Sequence, residues 1–397
     1  MFPPGPFSGV SPRRAGRSLD VRRKRIRVAL LKKVKVLRSN VRALRSYRRK
    51  RATLAHLPTY LWVEPTNNCN LHCPMCPNGA GRVRAERGFM DLGLYRRLID
   101  DIRSYVGTVT LSMGGESLLH PGLGEMAAYA GRSGLKTILN TNATLLDERA
   151  AAALLDSGLD YVSFAFDGFT KAGYERARRG ADFEATLSNI LRFLRMKEER
   201  RARKPFTVLS MLDLGWDRPT AGEREAFLAR FGGRLDDVRV REVNSWGRMF
   251  KGTTEFPYRA FDRSYPCGRL WNTLAIAWNG DVVPCVFHLN HEYVVGNIAA
   301  EPLAAVWNSP RLVALRQAML DGRALEISPL CDNCTIAGSP AMFGVPAGLR
   351  ATLAAALGDF FGPGFERRAL ALAERRAGGR FAARRIKFRG KRGLHAP

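Results

Sequence analysis

Segments with strand-like and helix-like hydrophobic patterns alternate along the chain from about residue 57 to about residue 250. Short apolar strands separated by helices of roughly 10–15 residues are typical of βα units, whose strands pair in parallel. Strands are predicted at 57–65, 108–112, 136–140, 161–166, 206–212 and 238–243, and helices at 122–133, 147–157, 183–198 and 223–231. About six units fit, fewer than the eight of a closed barrel, which predicts a partial (β/α)6 TIM-like barrel.

The chain changes character after this region. Residues 262–340 hold four cysteines, a helical pattern at 310–321 and the turn Asn279-Gly280-Asp281, which is typical of a β-hairpin. The predicted fold class is therefore α/β, with a small C-terminal α+β domain that carries the four cysteines, and with basic helical arms. The predicted division is a basic tail plus amphipathic helix at 1–56, the core barrel at 57–255, the cysteine-bearing domain at 262–340 and a helical, basic tail at 341–397.

Positive charge is concentrated at the two ends of the chain. Residues 1–56 carry 18 Lys and Arg against one acid, and residues 365–397 carry 11 against two, so the body is nearly neutral. Residues 1–20 are predicted to be disordered and 21–51 to form a basic amphipathic helix. Three interpretations of that helix stay open: it packs on the barrel, it lies on an anionic membrane surface, or it binds nucleic acid or an acidic peptide.

Several classes of protein are disfavoured by what the sequence lacks. It has no run of about 18 apolar residues and no signal-peptide pattern. Its seven cysteines are an odd number, which favours a reducing compartment over a disulfide framework. The predicted location is the cytoplasm, with possible peripheral attachment at the inner membrane surface.

Three cysteines, Cys69, Cys73 and Cys76, follow the first predicted strand at spacings of x3 and x2. This position is the carboxyl-terminal mouth of the barrel, where such folds place their active sites. Three thiolates can hold three irons of a cubane cluster and leave the fourth iron open. A structural zinc site needs four ligands, and His72 is badly spaced to supply the fourth. Packing of the cysteines as small apolar residues is the other alternative.

A second group of four cysteines is spread over the small domain, with one close pair at x2 spacing. Four thiolates can saturate a cubane cluster, and they can equally hold a structural zinc ion. Spacing alone leaves both alternatives open. The four residues are Cys267, Cys285, Cys331 and Cys334.

The first cysteine motif resembles that of the radical S-adenosylmethionine (SAM) family, and downstream motifs strengthen the resemblance. Gly114-Gly115-Glu116 is similar to the family's GGE motif, Ser163 and Asp167-Gly168 to its serine and Asp-Gly segment, and Arg178-Arg179-Gly180 to its Arg-x-Gly stretch. The resemblance implies a [4Fe-4S] cluster that binds SAM, with the GGE motif at the SAM amino group and Arg178 at its carboxylate. Asn140 and Asn142 are predicted near the ribose. No protein side chain is predicted to act as a direct catalytic group.

The second cysteine group resembles a SPASM-type extension. The similar segments are Cys267-Gly-Arg-Leu-Trp271, the turn that leads to Pro284-Cys285, Gly296-Asn297 with Trp307-Asn308-Ser309, and Cys331-Asp-Asn-Cys334. Four cysteines match the reduced, twitch-like form, which implies one auxiliary [4Fe-4S] cluster. All seven cysteines are then ligands, and this disfavours an epimerase that uses a free thiol.

The predicted function is reductive cleavage of SAM to a 5′-deoxyadenosyl radical that abstracts hydrogen from a substrate, with an electron donor such as flavodoxin or ferredoxin. The resemblance suggests a sugar, a cyclitol or a glycan-linked small molecule, or alternatively a ribosomal peptide. Asn244 and Trp246 are expected to face the cavity, and the first 56 residues hold one helix and a tail rather than a leader-binding domain. A zinc-stabilised nucleic-acid-binding protein is the alternative from another class, which the near-neutral body disfavours.

Overall fold

One open sheet of ten strands organises the part of the chain that the structure, a computed structural model, describes: residues 12–250, 266–332, 334, 346–361 and 384–385. The strands are β1 (Tyr60–Val63), β2 (Thr108–Leu111), β3 (Lys136–Thr141), β4 (Tyr161–Ala165), β5 (Phe206–Asp213), β6 (Asp237–Glu242), β7 (Thr273–Ile276), β8 (Asp281–Val283), β9 (Gly296–Asn297) and β10 (Arg384–Arg385).

The strand order is β10-β6-β5-β4-β3-β2-β1-β7-β8-β9. Strands β1 to β6 pair in parallel with their neighbours, which is the arrangement that six βα units produce. The sheet is open in the described residues, so the prediction of a partial barrel is confirmed. Parallel strands end together, so the carboxyl ends of β1 to β6 form one edge at which a site can assemble.

Helices cover the sheet between successive strands. The four predicted barrel helices are confirmed to within a few residues, and so is the helix at 310–321. The sequence pattern did not predict α2 (Leu92–Ile102) or the short helix α5 (Lys171–Ala177). Asp91 caps α2 by accepting a hydrogen bond from the Leu94 amide at 2.8 Å. The helices are α1 (Pro12–Arg48), α2 (Leu92–Ile102), α3 (Leu123–Arg132), α4 (Glu148–Asp156), α5 (Lys171–Ala177), α6 (Phe183–Glu199), α7 (Ala221–Ala229), α8 (Leu303–Val306), α9 (Pro310–Leu320), α10 (Ala324–Ile327) and α11 (Ala347–Phe361).

The second cysteine-bearing region continues the main sheet. Its first strand, β7, pairs in parallel with β1, and the antiparallel strands β8 and β9 follow it. The predicted hairpin turn joins β7 to β8, and Gly280 takes a φ of 88°, a conformation that favours glycine. The predicted domain boundary between 255 and 262 lies outside the described residues. The two regions therefore share a sheet, so the cysteines of the second lie beside the first.

Helix α1 packs on this body through one face. Val36, Ala43 and Tyr47 are buried, and the Tyr47 hydroxyl donates to the carbonyl of Pro266 at 2.8 Å. The predicted disorder is wrong for residues 12–20, which are helical from Pro12 onward; proline at a first helical position loses no hydrogen bond. Residues 1–11 lie outside the described residues. For residues 30–48 the structure agrees with the interpretation of a helix packed on the barrel, with its basic face exposed.

None of the helices in the described residues is long and apolar enough to cross a membrane.

Candidate functional site

The three-cysteine loop follows β1 directly and lies at the carboxyl edge of the sheet. Within the loop the Cys76 amide donates to the Cys73 carbonyl at 3.1 Å. Gly79 packs against this turn so closely that a Cβ atom would stand 2.4 Å from the Cys73 amide nitrogen. Only glycine permits that approach. The fold thereby brings Cys69, Cys73 and Cys76 to the wall of one cavity.

These thiols share a desolvated environment. Burial, with smaller contributions from Glu116 and the two neighbouring thiols, raises the pKa of Cys69 to about 11. Burial also raises the pKa of Cys73, whose sulfur lies 3.9 Å from a guanidinium nitrogen of Arg178. Three adjacent thiolates are unfavourable here unless cationic metal neutralises them. The donor set therefore fits an iron–sulfur cluster held by three cysteines.

The Gly114-Gly115 turn at the end of β2 is fastened to the cysteine loop. A Cβ atom on Gly115 would lie 2.3 Å from the Asn68 carbonyl oxygen, so a side chain there is excluded. The amide of Gly114 donates to Glu64 at 2.9 Å, and the amide of Glu116 donates to the Asn68 carbonyl at 2.8 Å. These contacts fix the turn relative to the three thiols.

Glu116 lines the cavity, but protein donors already hold its carboxylate. The Thr141 hydroxyl donates to it at 2.8 Å, the Asn142 amide at 2.7 Å and the Leu118 amide at 3.0 Å. Burial raises the pKa of Glu116, and these hydrogen bonds oppose the rise. A carboxylate has about four acceptor positions, so one is left for a donor in the cavity. The predicted contact with the SAM amino group stays a prediction.

Arg178 follows α5 and forms a buried ion pair with Asp167. The two side chains approach to 2.6 Å, and the Leu212 amide donates to the same carboxylate at 2.7 Å. Burial opposes the guanidinium charge, but Asp167 and Cys73 outweigh it and raise the pKa of Arg178. In the described residues its Nε is buried without a hydrogen-bond partner. An unpartnered buried donor beside the cysteine loop fits a carboxylate ligand such as that of SAM.

Asn140 lies near the carboxyl end of β3 and Ser163 in the middle of β4, side by side in the register. The Asn140 amide donates to the Ser112 hydroxyl at 2.8 Å, and both residues line the cavity. Asn142 also lines the cavity, and its side chain donates to Asn70 at 3.0 Å, beside the cysteine motif. Together these side chains give the cavity a wall of hydroxyl and amide groups.

All these residues converge on one cavity of about 410 Å³, within the range typical of small-molecule sites. Each of the predicted cluster and SAM residues, except those of the second cysteine group, lines it. The predicted residues are Cys69, Cys73, Cys76, Gly114, Gly115, Glu116, Asn140, Ser163 and Arg178.

The second cysteine group lines a separate cavity beside the first. Its walls are almost wholly apolar, and burial raises the pKa of Cys267 to about 12 and raises that of Cys285 as well. The Phe287 amide lies 3.4 Å from the Cys285 sulfur and donates to it. A dry site with four thiols around it fits a fully ligated cluster. The four thiols are those of Cys267, Cys285, Cys331 and Cys334.

Trp246 links the two cysteine regions. Its indole nitrogen donates to the carbonyl of Met75, inside the first motif, at 3.0 Å. Its ring centroid lies 5.0 Å from that of Phe287, beside the second. At Gly247 a Cβ atom would lie 2.0 Å from the carbonyl oxygen of Leu330, next to Cys331. The expectation that Trp246 faces the cavity is confirmed.

Four charged residues of the site were not predicted. Glu64 is buried at the end of β1, where it accepts from the Gly114 amide, and burial raises its pKa. Arg241, Glu242 and Arg269 line the cavity. The position of Glu64, directly after an apolar strand and before the cysteine motif, was a usable signal, because charged side chains are seldom buried without a role. The arginines carried no such signal in a chain rich in arginine.

Comparison with known proteins agrees with this geometry. The model of the radical SAM superfamily matches residues 63–207, and that of the SPASM iron–sulfur cluster-binding domain matches residues 267–335. The chain is 24% identical over 318 residues to a tungsten-containing aldehyde ferredoxin oxidoreductase cofactor-modifying protein of Pyrococcus furiosus, covering 70% of this chain and 87% of that protein. It is 24% identical to the SAM-dependent 2-deoxy-scyllo-inosamine dehydrogenase of Niallia circulans, covering 68% and 90%.

Among solved structures, the fold is similar to that of Streptococcus suis SuiB bound to its precursor peptide SuiA. The TM-score is 0.54 and the sequence identity 14%, over 70% of each chain. The radical SAM domain, which contains the three-thiol cavity, binds SAM and a [4Fe-4S] cluster, and the SPASM domain, which contains the four-thiol cavity, is an iron–sulfur cluster-binding domain. The chain belongs to the radical SAM superfamily and carries a C-terminal SPASM iron–sulfur cluster-binding domain.

Proposed function

We propose that this enzyme abstracts hydrogen from a polyhydroxylated small molecule, a sugar, cyclitol or glycan-linked compound, and oxidises or modifies it. The observation that carries the proposal is the single cavity of about 410 Å³ that the three thiols and the predicted SAM residues share with hydroxyl, amide and aromatic side chains. When bound there, the cluster and SAM supply the 5′-deoxyadenosyl radical that abstracts the hydrogen.

The side chains beyond the SAM residues suit a hydroxylated ring. Ser112, Ser210 and Asn244 offer hydrogen bonds, and Trp62 and Trp246 offer aromatic surface. Rigid polar groups that position one C–H bond at the radical carbon supply the selectivity, because orientation accounts for much of such a reaction's rate. The Niallia circulans relative, named for a cyclitol-type substrate, supports the same class.

The four-thiol cavity supports an oxidative outcome with one auxiliary cluster. Arg269 and Phe287 line both cavities, so an electron-accepting group held by those thiols would adjoin the substrate. Two-electron oxidation of an alcohol carbon releases one hydrogen atom, one proton and one electron, and the electron needs such an acceptor. The electron would pass directly between the two adjoining cavities and would not have to reach the protein surface.

A peptide substrate is the second candidate. It is favoured by the likeness of the fold to SuiB, which was solved with a precursor peptide. In that case the open mouth of the cavity would admit an extended chain.

The proposal also includes two partners that the fold does not identify: a flavodoxin or ferredoxin as electron donor, and an anionic membrane surface at the basic face of α1.

Deuterium transfer tests the substrate class. The reconstituted enzyme, a chemical reductant and SAM are incubated with uniformly deuterated polyols, cyclitols and glycosides, and with deuterated peptides as the competing set. Mass spectrometry of 5′-deoxyadenosine is the readout. Deuterium from a polyol supports the proposal. Deuterium from peptides alone contradicts it and favours peptide maturation.

A further inference from the structure

Arg241 is the last positively charged residue of β6, near the carboxyl end of the strand, and it lines the cavity. Arg239, two positions earlier on the same face of the strand, donates to Asp237 at 2.8 Å. Arg241 has no carboxylate within ion-pair distance among the described residues, although Glu242 next to it also lines the cavity. One arginine of the strand is neutralised and the other is left facing the cavity.

The Arg241 side chain is exposed and lines the cavity at the edge where the site assembles. Desolvation by neighbouring protein lowers its pKa, and the like charge of Arg239 acts in the same direction, whereas Tyr161 and Asp167 oppose the shift. A ligand in the cavity can therefore reach the guanidinium.

Three carboxylates among the described residues line the cavity, and protein groups hold two of them. Glu116 accepts three protein hydrogen bonds, and Asp167 is paired with Arg178. The third, Glu242, lies next to Arg241 in the chain but forms no ion pair with it in the described residues. Arg269, which reaches the same cavity from the segment before β7, also has no carboxylate within ion-pair distance in the described part of the chain. The cavity therefore presents guanidinium groups from both ends of its strand row to whatever fills it.

We propose that Arg241 binds an anionic group, a carboxylate or a phosphate, of the substrate. This inference rests on the proposed function and narrows it to acidic or phosphorylated sugars and cyclitols. A planar guanidinium binds both groups through two parallel hydrogen bonds, which fixes the orientation of the ligand as well as its charge. The hydroxyl and amide wall at Ser112 and Asn140 then contacts the uncharged ring.

Isothermal titration of the reconstituted protein with SAM present tests this site. The probes are myo-inositol 1-phosphate, glucuronate and uncharged myo-inositol. Wild type is expected to bind at least one anionic probe at least tenfold more tightly than myo-inositol, and the better probe distinguishes phosphate from carboxylate. Arg241→Gln is expected to remove that preference, because a hydrogen bond to a charged group is worth about 1.5–3 kcal/mol, tenfold or more in affinity. Arg241→Lys should keep part of it.

Arg195→Gln on the exposed face of α6 is the matched control and should change no affinity. Unchanged anion preference in Arg241→Gln would overturn the inference. So would a loss of SAM affinity in that variant, because it would assign the guanidinium to SAM. Release of 5′-deoxyadenosine by the wild type, measured on the same samples, separates the two claims. SAM cleavage without anion preference contradicts this site alone; anion preference without SAM cleavage contradicts the proposed function alone.

Discussion

Three buried carboxylates surround the cavity, and the structure gives each a different set of partners. Glu64 accepts a hydrogen bond from the Gly114 amide, and Glu116 accepts hydrogen bonds from two backbone amides and a hydroxyl. Asp167 forms an ion pair with Arg178. Burial raises the pKa of all three. Their shared task is to hold the loops that carry the thiols, so changes at their partners should be felt both in stability and in cofactor binding.

Gly115 is a position at which a single added methyl group should affect both stability and SAM binding. Its Cβ would lie 2.3 Å from a backbone oxygen, so Gly115→Ala must displace the cysteine loop. We expect a loss of about 1–3 kcal/mol in the free energy of unfolding, measured by denaturant titration, together with weaker SAM binding. Gly222→Ala in α7 is the control. No atom lies within 4 Å of its Cβ, and alanine is the better helix former, so unchanged or higher stability is expected there.

Arg178→Met should destabilise the protein in a pH-dependent way. Breaking a buried ion pair costs about 3–5 kcal/mol, because it leaves Asp167 charged and unpaired. Burial raises the pKa of Asp167 and Arg178 opposes the rise, so the variant's Asp167 should protonate at a higher pH than in wild type. A folded-state pKa above the unfolded value adds stability at low pH that is lost as pH rises through it.

The stability deficit of Arg178→Met should therefore shrink when unfolding is measured at pH 5 instead of pH 7. Adding Asp167→Asn to the same variant should recover part of the loss at pH 7. A deficit that is constant with pH, or that grows in acid, contradicts this assignment of the charge.

Sequence reasoning found the residues whose neighbours along the chain form a motif. Gly114, Gly115, Glu116 and Arg178 stand in short recognisable strings, and all of them line the cavity. Arg241 stands in no such string. Its proposed role depends on the cavity that β6 shares with the cysteine loop and with Arg269, which are distant from it in the sequence. Which residues share a cavity of this kind cannot be derived from spacing.

At the scale of elements, the predicted strands and long helices are correct because their hydrophobic periods are unambiguous. Helix α2 was not predicted, although Asp91 caps it and Leu94, Leu98 and Ile102 recur at helical spacing. The parallel pairing of β7 with β1 was also not derivable. It joins segments more than two hundred residues apart, and only tertiary packing decides it.

The exposed face of α1 supports a test of membrane attraction. Lys35, Arg38 and Arg45 point to solvent while the opposite face is buried. Each basic residue near an anionic bilayer contributes about 1 kcal/mol. Reversing all three to Glu should therefore lower binding to phosphatidylserine vesicles by about a hundredfold or more in a sedimentation assay. Reversal of Arg97, Arg195 and Arg203, exposed on other elements, is the control and should have a smaller effect; equal losses would refute a specific role for α1.

At the scale of the whole molecule, one sheet carries both cysteine groups. The three-thiol loop follows β1, and the four-thiol region is built around β7, the strand hydrogen-bonded to β1. Trp246 and Phe287 pack between the two sites. The pairing of β7 with β1 therefore sets the distance between the two sites.

Anaerobic metal analysis with and without Cys69→Ala tests the central claim most directly. Four irons per cubane predict about eight irons per wild-type chain, and release of 5′-deoxyadenosine from SAM after reduction. Cys69→Ala should fall to about four irons, retained by the second cysteine group, and release none. Zinc in place of iron, or undiminished 5′-deoxyadenosine from Cys69→Ala, would contradict the account.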